Sequence, residues 1–295
     1  QVCLKSNNKR DEDRMCLFEN SKILETGIKM MQPDMIRMIN GYKAYYTIDE
    51  MISQIYTFEV KKEKLILDTT VPDASVDLLF FEKTSGEFGA RIIGPTKSRL
   101  SSYVVFEENT SYIGIRFKPC YPIMISGIPV KESYNHIIPI TISDNIYKRI
   151  KWYLKMSTET DEILLQIKSA LSKYIVVYDD GKQRLINGII DYFICQKGQM
   201  NMKILSEKTG YSSYYLNKVF LAHTNYTVGQ FYSLLRLHSI LDQYEYNKAI
   251  SQNKINYACI ANETGYCDQA HLTREFKNFM GITPKKYWDK YNSNL

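Results

Sequence analysis

The most informative part of the chain reads Asn262-Glu-Thr-Gly-Tyr-Cys-Asp-Gln-Ala-His-Leu-Thr-Arg-Glu-Phe-Lys-Asn-Phe-Met-Gly-Ile-Thr-Pro-Lys-Lys-Tyr287. A short helical pattern opens at Asn256 and ends at Thr264-Gly265, and a second helical pattern follows the glycine. Asparagine is a favourable N-cap, and glycine readily adopts the left-handed conformation that ends a helix. The stretch therefore predicts two short helices joined by a sharp turn.

The same arrangement occurs once before in the chain. A helical pattern that ends at Gly210 lies 55 residues ahead of its counterpart, and after the glycine the offset becomes 56. At this offset Leu216 and Phe220 correspond to Leu272 and Phe276. Because the two members of each pair lie four positions apart, they share one helix face, which we expect to be buried. The sequence predicts two helix-turn-helix motifs in tandem.

The opposite face of each second helix carries polar, cationic and small side chains. Amide and cationic groups read base edges in the major groove, whereas hydroxyls and other cations contact phosphates and set the register. Ser212, Ser213 and Lys277 are expected on phosphates, and Tyr214 either contacts DNA or only covers the surface. Alternatively, each lysine or arginine of this face is only a solvated surface group. The predicted DNA-binding residues are Ser212, Ser213, Tyr214, Asn217, Lys218, Gln269, Ala270, Thr273, Arg274 and Lys277.

These residues resemble the double helix-turn-helix DNA-binding domain of the AraC/XylS family of bacterial transcription regulators. The resemblance is carried mainly by residues 262–287, and Asn225 stands where the family usually has glycine. It implies double-stranded DNA as the partner, RNA polymerase as a further partner if the protein is an activator, and no catalysed reaction.

An apolar pattern from Val228 to Leu241 predicts one long helix between the two motifs. Such a rigid link fixes the distance between the two reading helices. Both could then enter successive major grooves, about 34 Å apart along the duplex.

The charge distribution agrees with a polyanionic partner. Of the net charge of +6, residues from 183 onward contribute +5, with 13 Lys and Arg against 8 Asp and Glu. Most of the excess positive charge therefore lies in the segment that carries the predicted reading helices.

Before this segment the character of the chain is that of short strands. Six runs rich in β-branched and aromatic residues are separated by turn signals, which predicts an antiparallel barrel or sandwich. The runs are Ile55–Val60, Lys64–Leu67, Ser75–Phe81, Gly89–Ile93, Ser102–Phe106 and Tyr112–Phe117. The motifs Val71-Pro-Asp-Ala-Ser-Val-Asp-Leu-Leu-Phe80, Ile93-Gly-Pro-Thr96 and Ile113-Gly-Ile-Arg-Phe-Lys-Pro119 resemble the sensor-like domain that often precedes the DNA-binding domain in this family.

That resemblance implies a small-molecule effector. The strands offer aromatic side chains for a pocket, with Arg116 or Lys118 able to meet an anionic group. The predicted ligand-binding residues are Tyr56, Phe80, Tyr103 and Phe117. Two alternatives stay open: these aromatics only fill a core, or the domain only dimerises with a second copy of the chain.

The sequence thus predicts an α+β fold with four parts. Residues 1–44 form a poorly defined extension, and residues 45–142 a β-rich sensing or dimerisation domain. Residues 143–182 form a helical connector that packs either within the chain or on a second subunit. Residues 183–295 form the all-α double helix-turn-helix domain.

Other classes of protein find little support in the sequence. The four histidines form no metal-ligand pair, and neither a phosphate-binding glycine loop nor a nucleophile motif occurs, so no metal, cofactor or catalytic residue is predicted. An enzyme with an auxiliary DNA-binding tail remains a distant alternative. The six cysteines lack a C-x-x-C pair, which indicates free thiols. No run is long enough to span a membrane, and we expect a cytoplasmic protein.

Overall fold

The computed structural model describes residues 32, 39, 41–67, 71–97, 104–157, 159–177, 181–195, 201–250 and 256–293. The described residues fall into two compact units, one within 31–178 and 276–295 and the other within 179–275. Most of the predicted extension at 1–44 lies outside the described residues, as does Tyr103.

The first unit is built on antiparallel strands, which confirms the predicted β-rich architecture. A six-stranded sheet has the order β1-β2-β7-β4-β5-β10, and smaller sheets pair β11-β8-β9 and β3-β6. The strands are β1 (Lys43–Tyr46), β2 (Ile52–Val60), β3 (Leu65–Leu67), β4 (Asp77–Lys83), β5 (Phe88–Ile93), β6 (Val104–Phe106), β7 (Thr110–Phe117), β8 (Ile123–Ile125), β9 (Ile128–Pro129), β10 (Ile137–Ile140) and β11 (Ile175–Val177).

The large sheet is buried on both faces, because successive side chains of a strand point to opposite sides. One face, which includes Ile55 and Ile115, packs in a core with two helices, α1 (Asp144–Met156) and α2 (Thr160–Leu171). The other face, which includes Phe58, packs against β6. Two separate apolar layers therefore hold the sheet.

The predicted helical connector is not a separate segment. Tyr147 and Ile150 of α1 and Ile163 and Ile167 of α2 are buried in the same core as the sheet. Lys168 Nζ also lies 2.6 Å from Asp49 Oδ2, on the turn between β1 and β2. Residues 143–177 thus belong to the β-rich unit, since the apolar stripes of both helices are covered by it.

A buried ionic cluster joins β4 and β7. Arg116 is only 6% exposed. Its Nη1 lies 2.8 Å from Asp73 Oδ2, and its Nη2 and Nε donate to the two carboxylate oxygens of Asp77 at 2.8 and 3.1 Å. Tyr56 and Gln32 donate further hydrogen bonds to Asp77 and Asp73. The prediction that Arg116 meets a ligand is wrong, because these carboxylates already occupy the guanidinium.

The remaining helices follow the predicted double helix-turn-helix pattern. They are α3 (Gln183–Cys195), α4 (Met202–Thr209), α5 (Ser213–Thr224), α6 (Val228–Ile250), α7 (Tyr257–Glu263), α8 (Gln269–Met280) and α9 (Pro284–Ser293). The long helix α6 is the link that the apolar pattern from Val228 to Leu241 predicts.

Candidate nucleic-acid interface

Backbone capping fixes the first helix-turn-helix motif, α4 and α5. The Asn201 side chain accepts a hydrogen bond from Lys203 N at 2.8 Å and begins α4. Gly210 ends that helix with φ of +70°, and Ser212 Oγ then accepts from Tyr215 N at 3.2 Å. The turn is therefore set by a left-handed glycine followed at once by a new N-cap.

The second motif, α7 and α8, repeats this construction. The Asn256 side chain accepts from two backbone N–H groups at the start of α7, at 3.1 and 3.2 Å. Gly265 has φ of +77°, and Asp268 Oδ1 accepts from His271 N at 2.6 Å. At the offset of 56 residues, Asp268 is the counterpart of Ser212, an equivalence that the sequence analysis missed although both are common N-cap residues.

The predicted buried faces are confirmed in both motifs. The side chains of Leu205, Leu216, Phe220, Ile260, Leu272 and Phe276 are all essentially inaccessible to solvent. In each motif the second helix therefore turns one apolar face inward and leaves the other face outward.

The outward faces carry the predicted DNA-binding residues. Tyr214 on α5 is 77% exposed. Asn217 and Thr273 are half-buried, and the others in the set are exposed: Ser212, Ser213, Lys218, Gln269, Ala270, Arg274 and Lys277. In the part of the chain that the structure describes, none of the three cations in this set forms an ion pair.

Asn217 has a structural role that the sequence did not reveal. Its Nδ2 donates to Ser213 O at 3.0 Å, and its Oδ1 accepts from Val228 N at 3.1 Å. The amide thus joins α5 to the first residue of α6 and retains one N–H for another partner.

Asn225 ends α5 in the left-handed conformation, with φ of +62°. Alanine has no side-chain polar group to offset that conformation, so Asn225→Ala is expected to lower the free energy of unfolding by about 1 kcal/mol. Asn225→Gly is the matched control and should change it by less than about 0.5 kcal/mol, since glycine adopts this conformation freely. Urea unfolding followed by circular dichroism measures both. If Asn225→Ala were as stable as the parent, the left-handed conformation at this position would not be strained for alanine.

Arg236 of α6 clamps the second motif. Its Nη2 lies 2.5 Å from Glu275 Oε2 on α8, and its guanidinium lies between the rings of Tyr232 and Tyr266, 4.8 and 4.3 Å from their centroids. Its Nη1 also donates to Gly265 O at 3.4 Å. No pattern in the sequence indicates this clamp, because its members lie up to 39 residues apart.

The predicted ligand-binding aromatics do not come together. Phe80 and Phe117 are buried in the core that contains α1 and α2, whereas Tyr56 is buried on the opposite face of the sheet. A Cβ on Gly114 would come within 2.0 Å of the Tyr56 ring, which shows how tightly that ring is packed. The prediction that these residues line one pocket is wrong for the three that are described, and the alternative of core filling is correct.

A different cavity exists in the β-rich unit. It is an open cleft of about 870 Å³ along β1, β2, the β2–β3 turn, β7 and α1. Its lining includes lysines and aromatic residues but none of Tyr56, Phe80 or Phe117. The alternation of aromatic and polar residues along the strands could not identify this cleft, because its walls come from distant parts of the chain.

Three further observations concern the classes of site that the sequence excluded. Within the described ranges, no group of three or more His, Cys, Asp and Glu side chains could hold a metal ion. Of the cysteines that the structure describes, Cys120, Cys259 and Cys267 are not in disulfides, as predicted. None of the described helices combines the length and the apolar character needed to cross a bilayer.

Two family models match separate parts of the chain. Residues 205–290 match the family model described as a helix-turn-helix domain. Residues 42–139 match the model of a domain of unknown function, DUF6597.

The chain is similar to part of a curated protein and to several solved structures. The multiple antibiotic resistance protein MarA of Escherichia coli is 28% identical over 103 residues, which cover 35% of this chain and 76% of MarA, and MarA of Salmonella typhimurium gives the same values. A solved structure of an apo ToxT variant from Vibrio cholerae covers 82% of this chain and 98% of its own, with 11% identity and a TM-score of 0.47. ToxT with a bound unsaturated fatty acid covers 82% and 96%, with 8% identity and a TM-score of 0.42.

The repeated capped helices, the family match over residues 205–290 and the likeness to MarA lead to one conclusion. Residues 205–290 form an AraC-type helix-turn-helix domain similar to that of MarA, and a β-rich domain lies ahead of it.

Proposed function

We propose that this regulator binds specific operator sequences through the outward faces of α5 and α8. The observation that supports this most is the repetition, at offsets of 55 and 56 residues, of a capped helix whose free face carries cationic and amide groups. An α-helix presented in this way fits the major groove of B-form DNA. The two helices would enter successive major grooves, so that one chain covers two adjoining turns of the duplex.

The side chains divide into two roles. Arg274, Gln269 and Lys218 would read base edges, with Ala270 and Thr273 making apolar or hydroxyl contacts. Ser212, Ser213 and Lys277 would contact phosphates, and Tyr214 would pack on sugar or a thymine methyl group. Asn217 would contribute its remaining N–H while it holds α5 to α6.

Arg274→Ala is expected to weaken operator binding by about 1–3 kcal/mol and to relax the preference at one base pair. The reason is that a guanidinium donates two hydrogen bonds to a guanine edge, which alanine cannot replace. Bound fragments selected from genomic DNA supply the operator, and fluorescence anisotropy with single-base variants of it measures the effect.

Lys277→Ala, on the same helix, is the matched control. As a phosphate contact it should weaken binding to all sequences alike and reduce the salt dependence of log K by about one unit. An Arg274→Ala protein with the affinity and base preference of the parent would remove Arg274 from the reading set.

We also propose that the β-rich unit responds to a small molecule. The cleft of about 870 Å³ between the sheet and α1 supports this, since it is large enough for a drug-sized ligand. The rival is a domain that only dimerises. A ligand-dependent change in operator affinity at constant protein oligomerisation favours sensing, and transcription in vitro with RNA polymerase tells activation from repression.

A further inference from the structure

The outward face of α5 carries apolar side chains beside its cation. Within the described part of the helical unit, three large apolar side chains are exposed, and two of them, Tyr214 at 77% and Leu221 at 45%, lie on α5. The third, Ile204, lies on α4. Tyr214 and Leu221 are seven positions apart, so they share one helix face, with the exposed Lys218 between them. The face of α5 that would meet DNA therefore presents two apolar groups.

The corresponding face of α8 differs at both positions. At the offset of 56 residues, Tyr214 corresponds to Ala270 and Leu221 to Lys277. Over Gln269–Met280, all of which the structure describes, no large apolar side chain is exposed. A lysine at the edge of a groove can extend its charge to a phosphate, whereas a leucine is shorter and has no polar end. The two reading helices therefore offer different chemistry to the duplex.

The amide of Asn217 does not replace this apolar chemistry on α5. Asn217 Nδ2 donates to Ser213 O, and its Oδ1 accepts from Val228 N. A bidentate contact with an adenine edge needs an amide donor and an amide acceptor that point together at the base. Because both groups of Asn217 are directed at the backbone, α5 has apolar side chains rather than an amide pair with which to recognise an A·T pair.

The apolar group of the major groove is the C5 methyl of thymine, and no other base of unmodified DNA carries such a group there. Burial of one methyl group against an apolar side chain raises affinity about fourfold. Tyr214 and Leu221 are about 10 Å apart along the axis of α5, which corresponds to about three base pairs of B-form DNA. The two side chains can therefore reach two separate thymines.

We propose that α5 recognises thymine methyl groups at two positions of the operator, about three base pairs apart, through Tyr214 and Leu221. Lys218 contacts the base between them. The proposal rests on the proposed binding of α5 in the major groove. It goes beyond that binding, because it adds Leu221 to the operator contacts and names the chemical group of the DNA that this half of the site reads.

The test replaces single thymines of the selected operator, on either strand, by deoxyuridine. Deoxyuridine pairs with adenine in the same way but lacks the methyl group. Fluorescence anisotropy with the full chain measures the affinity for each modified duplex. Two replacements, about three base pairs apart, are each expected to weaken binding about fourfold. If no thymine of the operator responds to the loss of its methyl group, the proposal is overturned.

Two variants assign the methyl contacts to side chains. Leu221→Ala should abolish the effect of deoxyuridine at one of the two positions and keep it at the other, and Tyr214→Ala should do the reverse. Ile204→Ala removes the exposed apolar side chain of α4 and is the control, which should keep both effects. Circular dichroism checks that all three variants keep the fold of the parent. A deoxyuridine effect that persists in the variant expected to abolish it would overturn the proposal.

The affinity for unmodified DNA separates this inference from the proposed function on which it rests. A parent chain that binds its operator no more tightly than a scrambled duplex of the same composition would contradict both. Tight and specific operator binding without any response to deoxyuridine would leave the proposed function standing and contradict the methyl contacts alone.

Discussion

Arg116→Ala is expected to lower the free energy of unfolding of the β-rich unit by about 3–5 kcal/mol. The substitution leaves the carboxylates of Asp73 and Asp77 buried without the cation that neutralises them. Burial raises the pKa of Asp77, and the Arg116 guanidinium opposes this shift in the parent protein. Urea unfolding followed by far-ultraviolet circular dichroism measures the loss.

Arg149→Ala removes an exposed arginine of the same unit and is the control, with an expected change below about 0.5 kcal/mol. Acid pH gives a second check. Without Arg116 the buried Asp77 carboxyl has a folded-state pKa above its unfolded one, so it destabilises the fold increasingly as pH rises. The difference between variant and parent should therefore be smaller at about pH 4 than at about pH 7. A loss below about 1 kcal/mol at neutral pH would contradict the buried cluster.

Arg236→Ala is expected to lower the free energy of unfolding of the helical unit by a similar amount, about 3–5 kcal/mol. Glu275 would lose its buried partner, and the rings of Tyr232 and Tyr266 would lose the guanidinium between them. Glu275 lies on α8 between the outward Arg274 and the buried Phe276. Loss of its ion pair with Arg236 therefore also allows α8 to rotate about its axis. Operator binding should weaken even at temperatures where the variant stays folded.

Two variants keep this second prediction specific. Arg184→Ala removes an exposed arginine from α3 and should affect neither stability nor DNA binding. Glu275→Gln keeps a hydrogen-bond acceptor for Arg236. It should therefore lower the free energy of unfolding less than Arg236→Ala does. If Arg236→Ala were as stable as Arg184→Ala, the contact between α6 and α8 would not hold the second motif.

Local signals account for what the sequence predicted well. The N-caps Asn201 and Asn256 and the left-handed Gly210 and Gly265 act within one turn of their own positions, so their roles are legible in a short window. The same is true of the four-residue spacing that buries Leu216 with Phe220. Both helix-turn-helix motifs could therefore be outlined residue by residue.

The failures all concern contacts between distant residues. Arg116 is separated from Asp77 by 39 positions, and nothing in its own strand indicates a buried carboxylate partner. The helices α1 and α2 show amphipathic patterns, but the patterns do not say that a sheet of the same unit covers them. Sequence alternation likewise shows that Tyr56 and Phe80 are inward-facing without saying that they face opposite sides of a sheet.

The N-cap side chains of the two reading helices, α5 and α8, differ in charge. This difference affects how much each helix-turn-helix motif contributes to DNA binding. α5 begins at a neutral hydroxyl, Ser212, whereas α8 begins at a carboxylate, Asp268. A carboxylate repels a nearby phosphate, so we expect the first motif to contribute more of the salt-dependent, non-specific affinity for DNA. The second motif then contributes less to non-specific DNA binding and more to the discrimination between operator sequences.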